Sequence, residues 1–238
     1  MVLTGGAYRR FKMDDPVTLS DDQPRGVFDG KTPDLVLASG SPRRAEILAS
    51  AGLRVDVRPT ETPEHRLPAD ATPEAWALRL ASDKAASAAR SNPGAVTLGA
   101  DTIVVIDGEV LGKPSGPDDA VATLHRLSNR SHKVITAVAV DCPAGEWSGW
   151  SVTDVWMRDL KDEEVADYVA SGLPLDKAGS YGIQDRPFSP VERIKGCYLN
   201  VVGLPMCLTI ELLQLAGLSL HLECAGCVEP ANTVTDRP

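Results

Sequence analysis

The sequence predicts an α/β fold built on a mixed sheet flanked by helices. Leu35–Ala38 form an apolar run that turns through Ser39-Gly40-Ser41 straight into a segment starting at Pro42, the pattern of a strand feeding a helix. Asp107-Gly108 separates the apolar runs TIVVI and EVLGK, which marks a tight hairpin and therefore antiparallel pairing. Helical and strand segments then alternate along the chain, and hairpins among strand–helix units imply a mixed sheet rather than a purely parallel one.

The elements follow in order. Residues 1–33 mix Asp14, Asp15, Asp21 and Asp22 with Arg9, Arg10 and Lys12 and lack sustained periodicity, so they read as a disordered extension. Strand 34–39 leads to helix 42–51, with Ser41 able to cap it and Pro42 at the first helical position, where no amide donor is missed. Strand 54–58 is followed by a connection carrying Pro59, Pro63 and Pro68. Helix 73–90 starts at Pro73 with Thr72 as its cap, and strand 95–98 ends at Gly99-Ala100-Asp101 ahead of the hairpin. Helix 117–127 and strand 132–140 come next, and a β segment at 147–158 pairs back across Pro143-Ala144-Gly145. Helix 161–171 stops at Gly172, and short strands 179–184 and 191–195 precede a closing helix at 205–216. The domain thus spans 34–218, and 219–238 read as a weakly structured tail.

Composition narrows the function. A chain of 238 residues can bury one sizeable core or two small lobes. Its net charge of −9 and 5% aromatic content argue against a nucleic-acid partner, which would need cations and stacking platforms. Neither a membrane span nor a hydrophobic signal core is present, so a cytoplasmic location is expected. Five scattered cysteines do not form a disulfide framework. Cys224 and Cys227 make a C-x-x-C with His221 nearby, a potential zinc set short of one ligand, although two thiols in a polar tail explain the pattern more simply.

The run SGSPRR, residues 39–44, carries the strongest chemical signal. Arg43 and Arg44 stand in the first turn of a helix, where the macrodipole opposes cations unless an anion sits between them. A phosphate satisfies that arrangement, as does a plain solvated turn with surface arginines. Four further blocks stand in order behind it: GADTIVVIDGEVLGKP (99–114), LSNRSHKVITAVAV (127–140), DKAGSYGIQ (176–184) and NVVGLP (200–205). Together these resemble the Maf family of nucleoside triphosphate pyrophosphatases over about residues 34–217. The resemblance implies a curved mixed sheet with two lobes around a cleft, similar to inosine triphosphatases. It also implies hydrolysis of a nucleoside triphosphate to the monophosphate and pyrophosphate, with a divalent cation, Mg2+ or Mn2+.

Such chemistry needs cations for the phosphates, carboxylates for the metal and one base. Asp101 in GADT matches the family's proton acceptor; it suits metal binding too, and a turn-capping role would account for it without chemistry. Lys84 and Lys113 match catalytic positions, and Ser41, Arg43, Arg44 and Lys177 match phosphate-binding ones. Glu64 in PTETPEHRLP is the best counterpart of a family carboxylate and, with Asp101, the candidate metal set. Arg43, Thr102 and Gln184 occupy the positions that separate substrate groups and resemble the members acting on dTTP and UTP. A glutamine amide supplies the donor and acceptor that a uracil or thymine edge requires.

The chain departs from the family at Leu173, which stands where a glutamate is usual, and at Asp185, which stands where a glycine is usual. Asp185 puts a side chain where a glycine could adopt positive φ. The family's link to inhibition of septum formation, or a nucleotide sensor without turnover, is the alternative to catalysis. A homodimer is a candidate assembly.

Overall fold

The long central strands are apolar on both faces, so each face must be covered. The computed structural model describes residues 34–60 and 71–220, together with the backbone of 232–236. The mixed sheet runs in the order β2 (Val55–Val57), β1 (Leu35–Leu37), β3 (Thr97–Ile106), β5 (Ser131–Cys142), β6 (Gly145–Met157) and β7 (Val191–Lys195). β1 is parallel to β2 and β3, and the remaining neighbours are antiparallel. β4 (Glu109–Leu111) folds back on β3 through the Asp107-Gly108 turn, and β8 (Asn232–Asp236) pairs with β6.

Alternation along β3 divides the interior. Leu98 and Ala100 enter one core with α1 (Pro42–Ser50) and α6 (Met206–Leu215). Val104 and Ile106 enter a second with α3 (Pro117–Leu127) and α4 (Asp162–Ala170). These four residues share one face of the strand, and Thr102 lies between them. The opposite face carries Ile103 and Val105, covered by Ala77, Ala81 and Ala85 of α2 (Pro73–Ser91). The spacing of four sets these alanines in one stripe, so helix and sheet approach closely. Gly99 completes that approach: a Cβ there would fall 2.2 Å from the Ala81 carbonyl oxygen and 2.6 Å from the Ala85 amide nitrogen. Thr72 caps α2 as expected, accepting the Ala75 N–H at 3.2 Å.

Several expectations are corrected. The separate runs at 95–98 and TIVVI form one strand, because pairing with β5 continues unbroken from Thr97↔Asp141 to Val105↔Lys133. Asp101 therefore sits mid-strand, opposite Ala137, and not at a strand end. Residues 179–184 are not a strand: Gly179 and Ser180 both adopt positive φ, at 70° and 60°, and Ala178–Ser180 form a 3-10 turn. NVVGLP contributes a short helix, α5 (Tyr198–Val202), before its turn. In the segment read as a weak tail, Asn232–Asp236 pair with β6, and the β-branched residues of NTVTD suit that role. Ser41 takes the N-cap position of α1 without a capping bond from its side chain; its N–H donates to Ser39 Oγ at 3.2 Å. Among the described residues no helix is long and apolar enough to cross a membrane. The N-terminal extension, Glu64, and the His221, Cys224 and Cys227 set lie outside the described residues.

Candidate active site

A cleft of about 900 Å³ opens where the two cores part. Its waist is polar. Arg44 donates from Nε to the Gly203 carbonyl at 2.9 Å, from Nη1 to Ser39 Oγ at 2.9 Å and from Nη2 to Thr102 Oγ1 at 3.0 Å. Thr136 donates its hydroxyl to the Asn200 carbonyl at 2.9 Å, so Thr102 is left as the donor in the 3.0 Å contact between the two threonines. The Thr102 hydroxyl is thus engaged on both sides by protein, and it ties the Ser39–Arg44 turn to β3.

The floor comes from the α2 face. Close packing over Gly99 brings Lys84 down to β3, where its Nζ lies 2.6 Å from Asp101 Oδ1. Both side chains are largely buried, at 14% and 10% exposure. Oδ2 of Asp101 makes no hydrogen bond among the described residues, so one carboxylate oxygen is pinned and the other is left open to the cleft. Lys113, beyond the hairpin, lines the cleft and forms no ion pair among the described residues.

The far wall is built from turns. Arg43 Nη1 reaches across to Asp176 Oδ2 at 3.1 Å. Burial pushes the Asp176 carboxyl up, but hydrogen bonds and charge from Lys177 and Arg43 outweigh it and hold the group below the ordinary carboxylate range. The Lys177 ammonium is enclosed by the Leu173 carbonyl oxygen, Asp176 Oδ1 at 2.9 Å and Asp185 Oδ2 at 3.3 Å. Gln184 is exposed on the cleft, and its amide makes no hydrogen bond among the described residues.

Ser41, Arg43, Arg44, Lys84, Asp101, Thr102, Lys113, Lys177 and Gln184 therefore all line one cavity. The two departures read differently once placed. Leu173 is exposed and does not line the cleft; its carbonyl, which any residue would supply, holds Lys177. Asp185 does not adopt positive φ, so its side chain introduces no backbone strain. Sequence reasoning missed the Arg43–Asp176 bridge and the contacts of Asp185 with Tyr168 and Lys177. The adjacent Asp176-Lys177 charges hinted at the first, and nothing local signals Tyr168.

The Maf-like protein family matches residues 34–216. This chain belongs to that family. A dTTP/UTP pyrophosphatase from Geobacter metallireducens is 49% identical over 185 residues, covering 77% of the Maf-like chain and 96% of the relative. One from Geobacter sulfurreducens is 48% identical over 191 residues, with 77% and 96% covered. One from Anaeromyxobacter dehalogenans is 46% identical over 195 residues, with 80% and 98% covered.

Proposed function

We propose that this cleft hydrolyses the α–β linkage of nucleoside triphosphates, releasing the monophosphate and pyrophosphate, with dTTP and UTP as the preferred substrates. The observation that carries the reading is the Lys84–Asp101 pair at 2.6 Å on the floor of a cation-lined cleft. Water attacks the α-phosphorus, the bond to the bridging oxygen breaks, and pyrophosphate leaves with the electron pair. Asp101 Oδ2 takes the proton of the attacking water. Lys84 holds Oδ1, which fixes the carboxylate plane so that Oδ2 faces the substrate. Lys113 and Arg43 take the polyphosphate charge. The anion competes with Asp176 for Arg43, because that ion pair is partly exposed and weak. Arg44 acts from behind, holding the Ser39–Ser41 turn against Thr102.

The residues fit a divalent cation of one kind. Among the described residues no group of three or more potential ligand side chains is assembled, so a cage made by protein alone is not supported. Mg2+ is commonly held by one or two carboxylates together with substrate phosphates, and metal binding through Oδ2 is the alternative to the role of Asp101 as base. Glu64 is the second candidate ligand. When bound, the cation neutralises polyphosphate charge.

The names of the relatives support the base preference, and so does the free amide of Gln184, which can both donate to and accept from a uracil or thymine edge. A role by binding alone is not favoured, since a scaffold needs no ionic pair presented with an open oxygen. The test is pyrophosphate release from a panel of nucleotides with Mg2+ or Mn2+. Faster release from dTTP and UTP than from CTP or purine triphosphates is expected, and no release from any nucleotide overturns the reading.

A further inference from the structure

Behind the Gln184 wall stand Tyr168, Asp185 and Phe188, which do not line the cleft. The Tyr168 hydroxyl donates to Asp185 Oδ2 at 2.5 Å and accepts the Gly182 N–H at 3.1 Å. The Asp185 N–H closes the same turn on the Gly182 carbonyl at 3.1 Å. Residues 182–185 are therefore clamped twice, once by backbone and once through a side chain from α4. The Tyr168 ring is itself fixed, stacked on Phe188 with centroids 4.0 Å apart and planes 11° from parallel. The Asp185 carboxylate lies so close over Gly182 that a Cβ there would fall 2.6 Å from Oδ2. Its charge is balanced by Lys177 at 3.3 Å, and the two side chains are 12% and 8% exposed. A carboxylate this enclosed would be costly without its donors, so the contacts hold the turn in one arrangement.

We infer that Asp185 and Tyr168 are positioning residues for base recognition, which lock the 182–185 turn so that Gln184 presents its amide to the nucleobase in a fixed orientation. The inference rests on the proposed function and adds to it the device that makes a lone, exposed glutamine selective. An amide free to swing would offer either its oxygen or its nitrogen to the base and would discriminate poorly. Strong rejection of the wrong base requires the polar groups of the site to be left unpaired by it, which demands a rigid presentation. Burial, followed by the hydrogen bond and charge of Asp185, raises the Tyr168 hydroxyl above the ordinary phenol range, so it stays a donor throughout the working pH range.

Calorimetric binding of non-hydrolysable α,β-imido-UTP, α,β-imido-CTP and inorganic tripolyphosphate tests this, with wild type, Tyr168→Phe and Asp185→Asn compared. Tyr168→Phe changes no charge, and the UTP-to-CTP affinity ratio should fall about fivefold or more while tripolyphosphate binding stays within about twofold. Asp185→Asn removes one of the two counter-charges of Lys177, so the ratio should fall while tripolyphosphate binds equally well or more tightly. An unchanged ratio in either folded variant overturns the inference, as does parallel weakening of all three ligands, which marks a merely structural role. If Tyr168→Phe fails to fold, Asp185→Asn decides alone. Wild-type hydrolysis of UTP is assayed alongside: its absence overturns the proposed function, while the binding ratios still judge the turn.

Discussion

The floor and the far wall of the cleft each bury a lysine against an aspartate, and the two pairs are put to different uses. Lys84 and Asp101 project from a long helix and the middle of the central strand, where close packing over Gly99 sets their separation. One oxygen of Asp101 is held and the other is open, an arrangement suited to taking a proton. Lys177 and Asp185 stand instead on 3-10 turns and loop, and the Tyr168 hydroxyl and the Lys177 ammonium both engage Asp185 Oδ2. A pair that leaves an acceptor open can do chemistry. A pair closed on itself can only hold something in place, and here it holds the turn that carries Gln184. Rigid regular structure supplies its own precision, whereas a turn needs side-chain ties to reach the same fixity.

The contrast breaks most sharply at Asp101. Asp101→Asn keeps the shape and the contact with Lys84 but removes the base, and turnover should fall roughly 10²–10⁴-fold while triphosphate binding survives. Steady-state release of pyrophosphate, paired with a binding measurement, checks both halves; turnover within about threefold of wild type removes Asp101 as the base.

A second difference lies in the response to acid. His132, buried at 4% exposure and 2.7 Å from the Tyr181 hydroxyl, is held by burial at a pKa of about 4. The unfolded chain binds that proton from about pH 6.5, so the stabilisation is complete above this value and is lost as pH falls toward 4. Between about pH 7 and pH 4.5 the loss from this one group should be about 2 kcal/mol. Asp176, held below its ordinary range, keeps its contribution until lower pH. Urea midpoints across that window should therefore shift in wild type and flatten in His132→Gln. A wild-type midpoint independent of pH would show that the Tyr181 wall is not acid-sensitive through this residue.

A smaller effect sharpens the division between chemistry and recognition. Gln184→Glu replaces the amide donor by an acceptor, and the preference for UTP over CTP should drop about tenfold with tripolyphosphate inhibition nearly unchanged. Competition assays with the three ligands read this directly; equal weakening toward all of them would place Gln184 on the phosphates instead. The smallest change is expected from trimming the two ends of the chain. Removing residues 1–30 and 221–238 should leave turnover within about twofold, since β8 pairs with β6, two strands away from β3 and Asp101. A larger drop would show that an end of the chain contributes to the cleft.

The chain's local chemistry determined much of this on its own. Pro42 and Pro73 start helices, Asp107-Gly108 makes a hairpin, and apolar runs mark strand segments, because caps, turns and local hydrophobicity act within a few residues. Resemblance to the Maf family singled out Arg43, Lys84, Asp101, Lys113 and Gln184, and all five line one cleft. Tertiary structure alone decided how they are used. Asp101 became a mid-strand group because β5 pairs continuously past it, and Arg44 became a tie because Gly203, 159 positions away, accepts its Nε–H. Asp185 escaped backbone strain and met Tyr168 and Lys177 only because α4 packs behind its turn. Partners of this kind are selected by which elements come together, and no spacing along the chain encodes that choice.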